Sequence, residues 1–254
     1  ADVGAACAAA KRGIMVPLYT AKMGKGSPSA FVWGNMFINT KVQLLKRLRG
    51  SVSDIVQRNW RLPPESKLYI ARRLLLLVLH LQAAGIAHND IHLGNCFMLP
   101  DGSFLLGDFG SSAPLGEALG ELTRVTMDYA EPQLLLDLSR FLNAKDSSDV
   151  VFANIKSDLW SLAVVLYELF TDGKLPYALA GVRNDFGALQ SFAQQLLKND
   201  SAVEEAKINN LRELNRAEVP ERWRQLICLL LDPQRHHRVS WDDITARFTD
   251  LFFG

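Results

Sequence analysis

The 254-residue chain is poor in most of the features that mark a specialised protein class. Its three cysteines, Cys7, Cys96 and Cys228, are odd in number and show no Cys-x-x-Cys spacing. They support neither a disulfide framework nor a zinc site, and one bridge stays open. The longest apolar run, Leu74 to Leu79, falls far short of the ~20 residues of a membrane span, so no transmembrane segment is expected. There is almost no net charge either: 28 basic against 27 acidic residues give +1, which provides no global field for nucleic acid or an acidic membrane. No nucleic-acid partner is expected, and peripheral membrane association would need a local patch. Only 17 Gly and 10 Pro are present, without a low-complexity stretch, so disorder is excluded. Residues 1 to 10 are Ala-rich but lack a basic segment followed by an apolar one, and read as a processed or truncated start rather than an intact signal peptide.

What is present is apolar bulk. Hydrophobic residues make up 48% of the chain, enough for a sizeable core in one or two units. Gly13 to Tyr19 and Ala30 to Asn39 read as a short antiparallel pair of strands, joined by the basic AKMGKGSPS. From Val42 to Leu48 the pattern reads as helix, followed by a second helix over 51–58 that Ser51 or Ser53 would cap. After Pro63 and Pro64 a long helix is predicted over 65–84, apolar nearly all round and therefore buried, with Gly85 ending it. Cys96 to Leu99 and Ser103 to Leu106 read as a hairpin around Pro100, Asp101 and Gly102. A second buried helix is predicted over 157–170, with Ser157 or Asp158 as its N-cap, and further helices near 186–198, 202–215, 221–231 and 241–248.

Chemistry-bearing residues cluster around the hairpin. His88 to Asn95 reads HNDIHLGN before it, and Asp108 to Gly110 reads DFG directly after it. This arrangement resembles the eukaryotic protein kinase family, whose H-R-D-x-x-x-x-N pattern is matched at His88, Asp90 and Asn95, with Asn89 replacing Arg. Phosphoryl transfer needs a carboxylate at the incoming hydroxyl and hard oxygen ligands for Mg2+, which is why an acid, an amide and a second acid recur at this spacing. The resemblance implies Asp90 as catalytic base and Asn95 and Asp108 as metal ligands. It also implies Mg2+ and ATP as cofactors and a hinge at Asn39, Lys41 and Val42 seating adenine. His88 is structural in this reading, packing beneath the loop.

The match continues downstream. Thr126, Tyr129, Pro132 and Gln133 align with the segment ending in A-P-E, Thr126 matching the threonine of Ser/Thr kinases and Gln133 standing where Glu is usual. Asp158 and Trp160 match the D-x-W of the buried helix, and Arg238 the arginine that pairs with that Glu. A Gln at this point turns the expected ion pair into a neutral hydrogen bond, weaker by a fraction of the ~1.5–3 kcal/mol of charged ones. Residues near 134–156 are more than the family usually carries and read as a surface insertion.

The implied fold is α+β and kinase-like: residues 1–42 as a remnant of the N-lobe with hinge, 43–254 as a largely complete helical C-lobe. Neither a glycine-rich loop nor a V-A-I-K lysine is found, since GKGS at 24–27 has too few glycines and Lys22 lies too close to the hinge. In these details the chain is similar to the apicomplexan rhoptry kinase and pseudokinase family, including its branch without a glycine loop. That similarity implies secretion into the rhoptry or parasitophorous vacuole. The function implied is an ATP- and Mg2+-dependent Ser/Thr protein kinase acting on a protein substrate. Two alternatives stay open: a pseudokinase that holds a protein partner without turnover, and a small-molecule phosphotransferase, which His92 favours because D-x-H-x-G-N is frequent in such enzymes. Asn89 leaves a phosphate at Thr123, Ser111 or Ser112 without its usual arginine, so little dependence on such modification is expected. His236 and His237 read as a solvated loop, and Cys96 as a small buried hydrophobe.

Overall fold

A computed structural model describes residues 12–15, 17, 19–22, 30–33, 36–39, 41–58, 61–119, 125–143, 150–182, 185–198 and 201–253. Four short strands come first: β1 (Tyr19–Lys22), β2 (Ala30–Trp33), β3 (Met36–Asn39) and β4 (Lys41–Leu44). β1 pairs antiparallel with β4, and β2 with β3. The expected pairing of Gly13–Tyr19 with a single strand over 30–39 is therefore not formed. The second run folds on itself, with Trp33 opposite Met36 and Gly34-Asn35 between them, a dipeptide suited to a tight hairpin. The helix expected from Val42 is also absent, because Lys-Val-Gln-Leu alternates polar and apolar residues with period two and pairs as a strand. Asn39, Lys41 and Val42, expected in the hinge, thus lie in paired strands, and the irregular connection to the helical body is 45–49.

Beyond that connection the chain is mostly helical. β5 (Gly50–Ser51) leads into α1 (Val52–Gln57), where Ser51 and Asp54 form a reciprocal capping box. α2 (Pro64–Ala83) begins with proline at its first position and buries Leu74, Leu75, Leu77, Val78 and Leu79. It ends before Gly85, whose φ of +71° favours a residue without a Cβ. β6 (Ile86–Ala87) precedes the 88–95 loop, and β7 (Cys96–Met98) pairs with β8 (Phe104–Leu106) as the expected hairpin. β9 (Ala113–Pro114) returns to pair with β6, while β5 extends the hairpin into a three-stranded sheet. Ile14 bridges Leu106 in parallel, so the start of the described chain docks on the same sheet.

α3 (Pro132–Asn143) falls in the stretch expected as a surface insertion over 134–156, and for residues 134–143 that expectation does not hold. It is an amphipathic helix whose Leu134, Leu135 and Leu138 are buried in the main core and which packs on a later helix, α5. α4 (Ile155–Phe170) buries every residue from Ser157 to Phe170, the consequence of an apolar sequence around its whole circumference. Its cap is Asn154, which accepts from the Lys156 N–H at 2.9 Å, rather than Ser157 or Asp158. α5 (Phe186–Leu197), α6 (Ser201–Arg216), α7 (Glu221–Leu230) and α8 (Trp241–Arg247) lie close to the expected positions, and a short α9 (Asp250–Phe253), not expected, follows them. One continuous apolar core runs from Val52 to Leu251.

Candidate active site

Asp158, a turn inside α4, organises the loop after β6. Its Oδ2 accepts the His88 N–H at 2.7 Å and its Oδ1 the Asn89 N–H at 2.8 Å. Burial pushes this carboxyl up to about 7, with the two amide donors opposing the rise. Those bonds hold Asn89 in the left-handed region, at φ +63°, which asparagine tolerates better than most residues. Its side-chain amide donates to the Ser111 carbonyl at 2.9 Å, tying the loop to the segment after DFG. Asn89 is therefore a neutral clamp at the position where the family carries arginine, a role the sequence did not show.

His88 is fully enclosed. Its Nε2 lies 3.0 Å from the Gly107 carbonyl and its Nδ1 3.3 Å from the Asp90 N–H. A neutral imidazole with its proton on Nε2 satisfies both contacts, and burial pushes the ring down to about 4, so it remains neutral at ordinary pH. The Phe109 ring stands edge-on to it, 4.7 Å between centroids. Both polar contacts of His88 are thus with backbone groups of the loop and the hairpin.

Asp90 sits above this base. Burial opposes its charge, yet hydrogen bonding from His92 and Thr126 holds its carboxyl below the ordinary range, so it is ionised. Its Oδ1 accepts the Thr126 N–H at 2.9 Å, and the Asn95 side-chain amide donates to its carbonyl at 2.9 Å and to Oδ2 at 3.2 Å. His92 Nε2 lies 3.6 Å from the same Oδ2, while its Nδ1 accepts the Gly94 N–H at 3.1 Å. Asp90, Asn95 and Thr126, three of the residues expected at the site, are brought together by direct contacts. Asp108 is exposed, at φ +57°, with Oδ1 accepting the Gly110 N–H at 3.3 Å. Asp90 and Asp108 both favour the charged His88 ring electrostatically, against the larger effect of burial.

The donor set suits a hard cation. Asn95 spends its NH2 group on Asp90, leaving an amide oxygen as its ligand, and Asp108 adds a solvent-facing carboxylate, so both contacts would be oxygen. Among the described residues no group of three or more His, Cys, Asp or Glu forms a self-sufficient metal site. A cation held by these two oxygens would take its remaining ligands from water and phosphate, a pattern that Mg2+ accepts.

Gln133 does not partner Arg238. Its amide donates to Asp137 at 2.8 Å, one turn along α3, whereas Arg238 pairs with Glu131 at 2.5 Å. The chain carries the acid before the proline, Glu131-Pro132, rather than after it. The ion pair expected to be lost is present. Arg235 reaches the same carboxylate and Ser157 donates to it at 2.6 Å. Burial alone would push Glu131 up, but the two guanidinium groups hold it charged and low. Trp160 lies against this cluster, 5.1 Å from the Arg238 guanidinium carbon. Thr123 lies outside the described residues.

Two carboxylates and an amide around a hairpin, braced by a buried Asp and an Arg–Glu pair, are the layout of the protein-kinase fold. The model of the protein kinase domain family matches residues 42–248. The chain belongs to that family. It is 32% identical over 190 residues to the serine/threonine-protein kinase sck2 of Schizosaccharomyces pombe, covering 73% of this chain and 24% of that protein. It is 33% identical over 138 residues to mitogen-activated protein kinase kinase 1c of Physcomitrium patens, covering 53% and 36%. The chain spans about a quarter to a third of these relatives. Among solved structures it resembles Toxoplasma gondii ROP2, a virulence factor with a protein-kinase fold and no enzymatic activity, at TM-score 0.65 and 15% identity, over 96% of this chain and 62% of that one. It also resembles the ROP18 kinase domain in complex with AMP-PNP and sucrose, at TM-score 0.61 and 20% identity, over 94% and 60%. At these identities the two structures share the fold. Among the described residues no helix is long and apolar enough to cross a membrane.

Proposed function

We propose that the chain is the catalytic part of a Ser/Thr protein kinase that transfers phosphate from ATP to a protein hydroxyl. The observation that carries this reading is Asp90, ionised and oriented by Thr126 and Asn95, which supports a role as the acceptor of a hydroxyl proton. Asn95 and Asp108 would hold Mg2+, which when bound neutralises charge on the transferred phosphate. Thr126 and Asn95 fix the Asp90 carboxylate, and Asp158 fixes the loop that carries it. The connection at 45–49 is the segment we assign to seating adenine, in place of Asn39, Lys41 and Val42. The rhoptry-type neighbours favour a secreted protein of that kind.

Asp90→Asn should lower phosphate transfer to a protein substrate by about 10^2–10^4-fold. The MgATP-induced rise in melting temperature should stay unchanged. Equal turnover by the variant would overturn the assignment of the base. A second reading, a pseudokinase that binds a partner without turnover, is favoured by the likeness to ROP2. It predicts no transfer by the wild-type chain and no Mg2+-dependent melting shift with ATP.

A further inference from the structure

Ile208 and Leu211 lie one turn apart on α6 and remain 49% and 41% exposed, although the other large apolar residues of that helix, Val203 and Leu214, are buried. With Val203, Asn210 and Leu214 turned to the core, Glu205, Ile208 and Arg212 share the outward face at spacings of three and four. The charges of the helix differ in how they are engaged. Glu204 pairs with Lys207, and Glu213 with both Lys174 and Arg216. Among the described residues Glu205 and Arg212 form no ion pair, and Arg212 donates to the Asn209 side-chain oxygen at 3.0 Å.

Seven positions separate this acid from this base, so they stand two turns apart with Ile208 between them. A second α6 laid antiparallel across the first, about a two-fold axis beside Ile208, brings each Glu205 opposite the other copy's Arg212 and sets the two Ile208 side chains against each other. One acid and one base placed evenly about an apolar centre are their own complement, which is what a two-fold contact requires. Between α6 and α7 a hollow of about 350 Å3 adjoins this face, lined by Leu211, Asn215, Glu221, Arg224, Gln225 and Cys228. It repeats the pattern: Glu221 and Arg224 lie one turn apart on α7, and neither forms an ion pair among the described residues.

We infer that α6, with the adjoining face of α7, is the contact through which two copies of this chain form a two-fold dimer. A surface of one charge sign, such as an anionic membrane or a nucleic acid, fits less well, because Glu205 and Glu221 are balanced by Arg212 and Arg224. An unrelated partner needs no symmetry in the face it meets, whereas a copy of the same helix satisfies both unpaired charges at once. The face is small: 16 residues at a rise of about 1.5 Å span about 24 Å, so the dimer is a weak one that forms with concentration. It contains none of Asp90, Asn95 and Asp108, so the contact does not depend on phosphate transfer.

Sedimentation velocity of the full chain over a range of concentrations should show a monomer–dimer equilibrium that raised salt weakens. Glu205→Arg and Arg212→Glu each set like charges face to face, and each should raise the dissociation constant about tenfold or more. Mixed in equal amounts, the two variants should form a heterodimer, and a chain carrying both substitutions should dimerise as the wild type does. That recovery distinguishes a contact between opposite charges from damage to the helix. Both side chains are exposed, and unchanged circular dichroism confirms the fold of each variant. Ile208→Asp should weaken the dimer in every one of these backgrounds. A chain that stays monomeric at all concentrations, whether or not it binds anionic vesicles, would overturn the inference. So would a dimer that neither charge variant weakens, or weakened variants that recover neither on mixing nor in the double variant.

Discussion

His88 shows how one enclosed ring sets a pH dependence. Burial lowers it from 6.5 to about 4, so between those values the unfolded chain binds a proton that the folded chain does not. Its contribution therefore grows as pH rises through that window and is lost as pH falls through it. About 3 kcal/mol is at stake by the usual conversion. Asp158, raised to about 7, works in the opposite sense over an overlapping range, since the folded chain then holds the extra proton. The wild-type profile mixes the two, and comparison with His88→Asn isolates the histidine. Urea denaturation at pH 4.5 and 6.5 should show the wild type gaining about 2 kcal/mol more than the variant on going to the higher pH. An equal gain in both would show that the ring carries no such linkage. Glu131 and Gln133 give a sharper contrast. Glu131→Ala leaves Arg238 charged, buried and unpaired and should cost about 3–5 kcal/mol, while Gln133→Ala loses one bond along α3 and should cost under about 1 kcal/mol. Denaturant midpoints of the two variants decide which residue is the partner.

At the scale of elements, α1 is six residues long and depends on its ends. Ser51→Ala removes the side-chain acceptor for Asp54 N–H, and about 1 kcal/mol of stability should go with it, read as a lower urea midpoint. This element was legible because a serine preceded an acid at capping spacing. α2 and α4 were legible because apolar residues on all sides permit little other than a buried helix. The strands before residue 45 were less so. Four-residue arms carry too little periodicity to fix their partners, and Lys41–Leu44 is as compatible with a helical start as with the strand it forms. In the site, fixed spacing pointed to Asp90, Asn95 and Asp108, of which Asp90 and Asn95 are in direct contact, whereas Glu131 was obscured by the reversed order of acid and proline. The clamp from Asn89 to the Ser111 carbonyl joins side chain to backbone across 22 positions, a contact that no sequence pattern encodes.

The whole helical body shares one core, with α4 as its axis. Leu166 is fully buried there, so Leu166→Ala should remove about 2–5 kcal/mol. Because the core is continuous from Val52 to Leu251, that loss should shift the entire transition. Circular dichroism and tryptophan fluorescence should move together, and a separate early transition in one probe would show two cores.

The parallel bridge between Ile14 and Leu106 closes a loop of 106 minus 14, or 92, positions. Met15 N–H donates to the Leu106 carbonyl and Leu106 N–H to that of Gly13, both at 2.8 Å, and a Cβ at Gly13 would come within 2.9 Å of a Leu77 methyl group. Such a contact is late by nature: the entropy of loop closure must be met before the contact contributes, and its receiving strand is complete only once the hairpin has formed. On the ribosome, the first described residues to emerge therefore wait for β8, ninety positions behind them, before finding their place. The order of synthesis and the order of assembly run in opposite directions at this end of the chain.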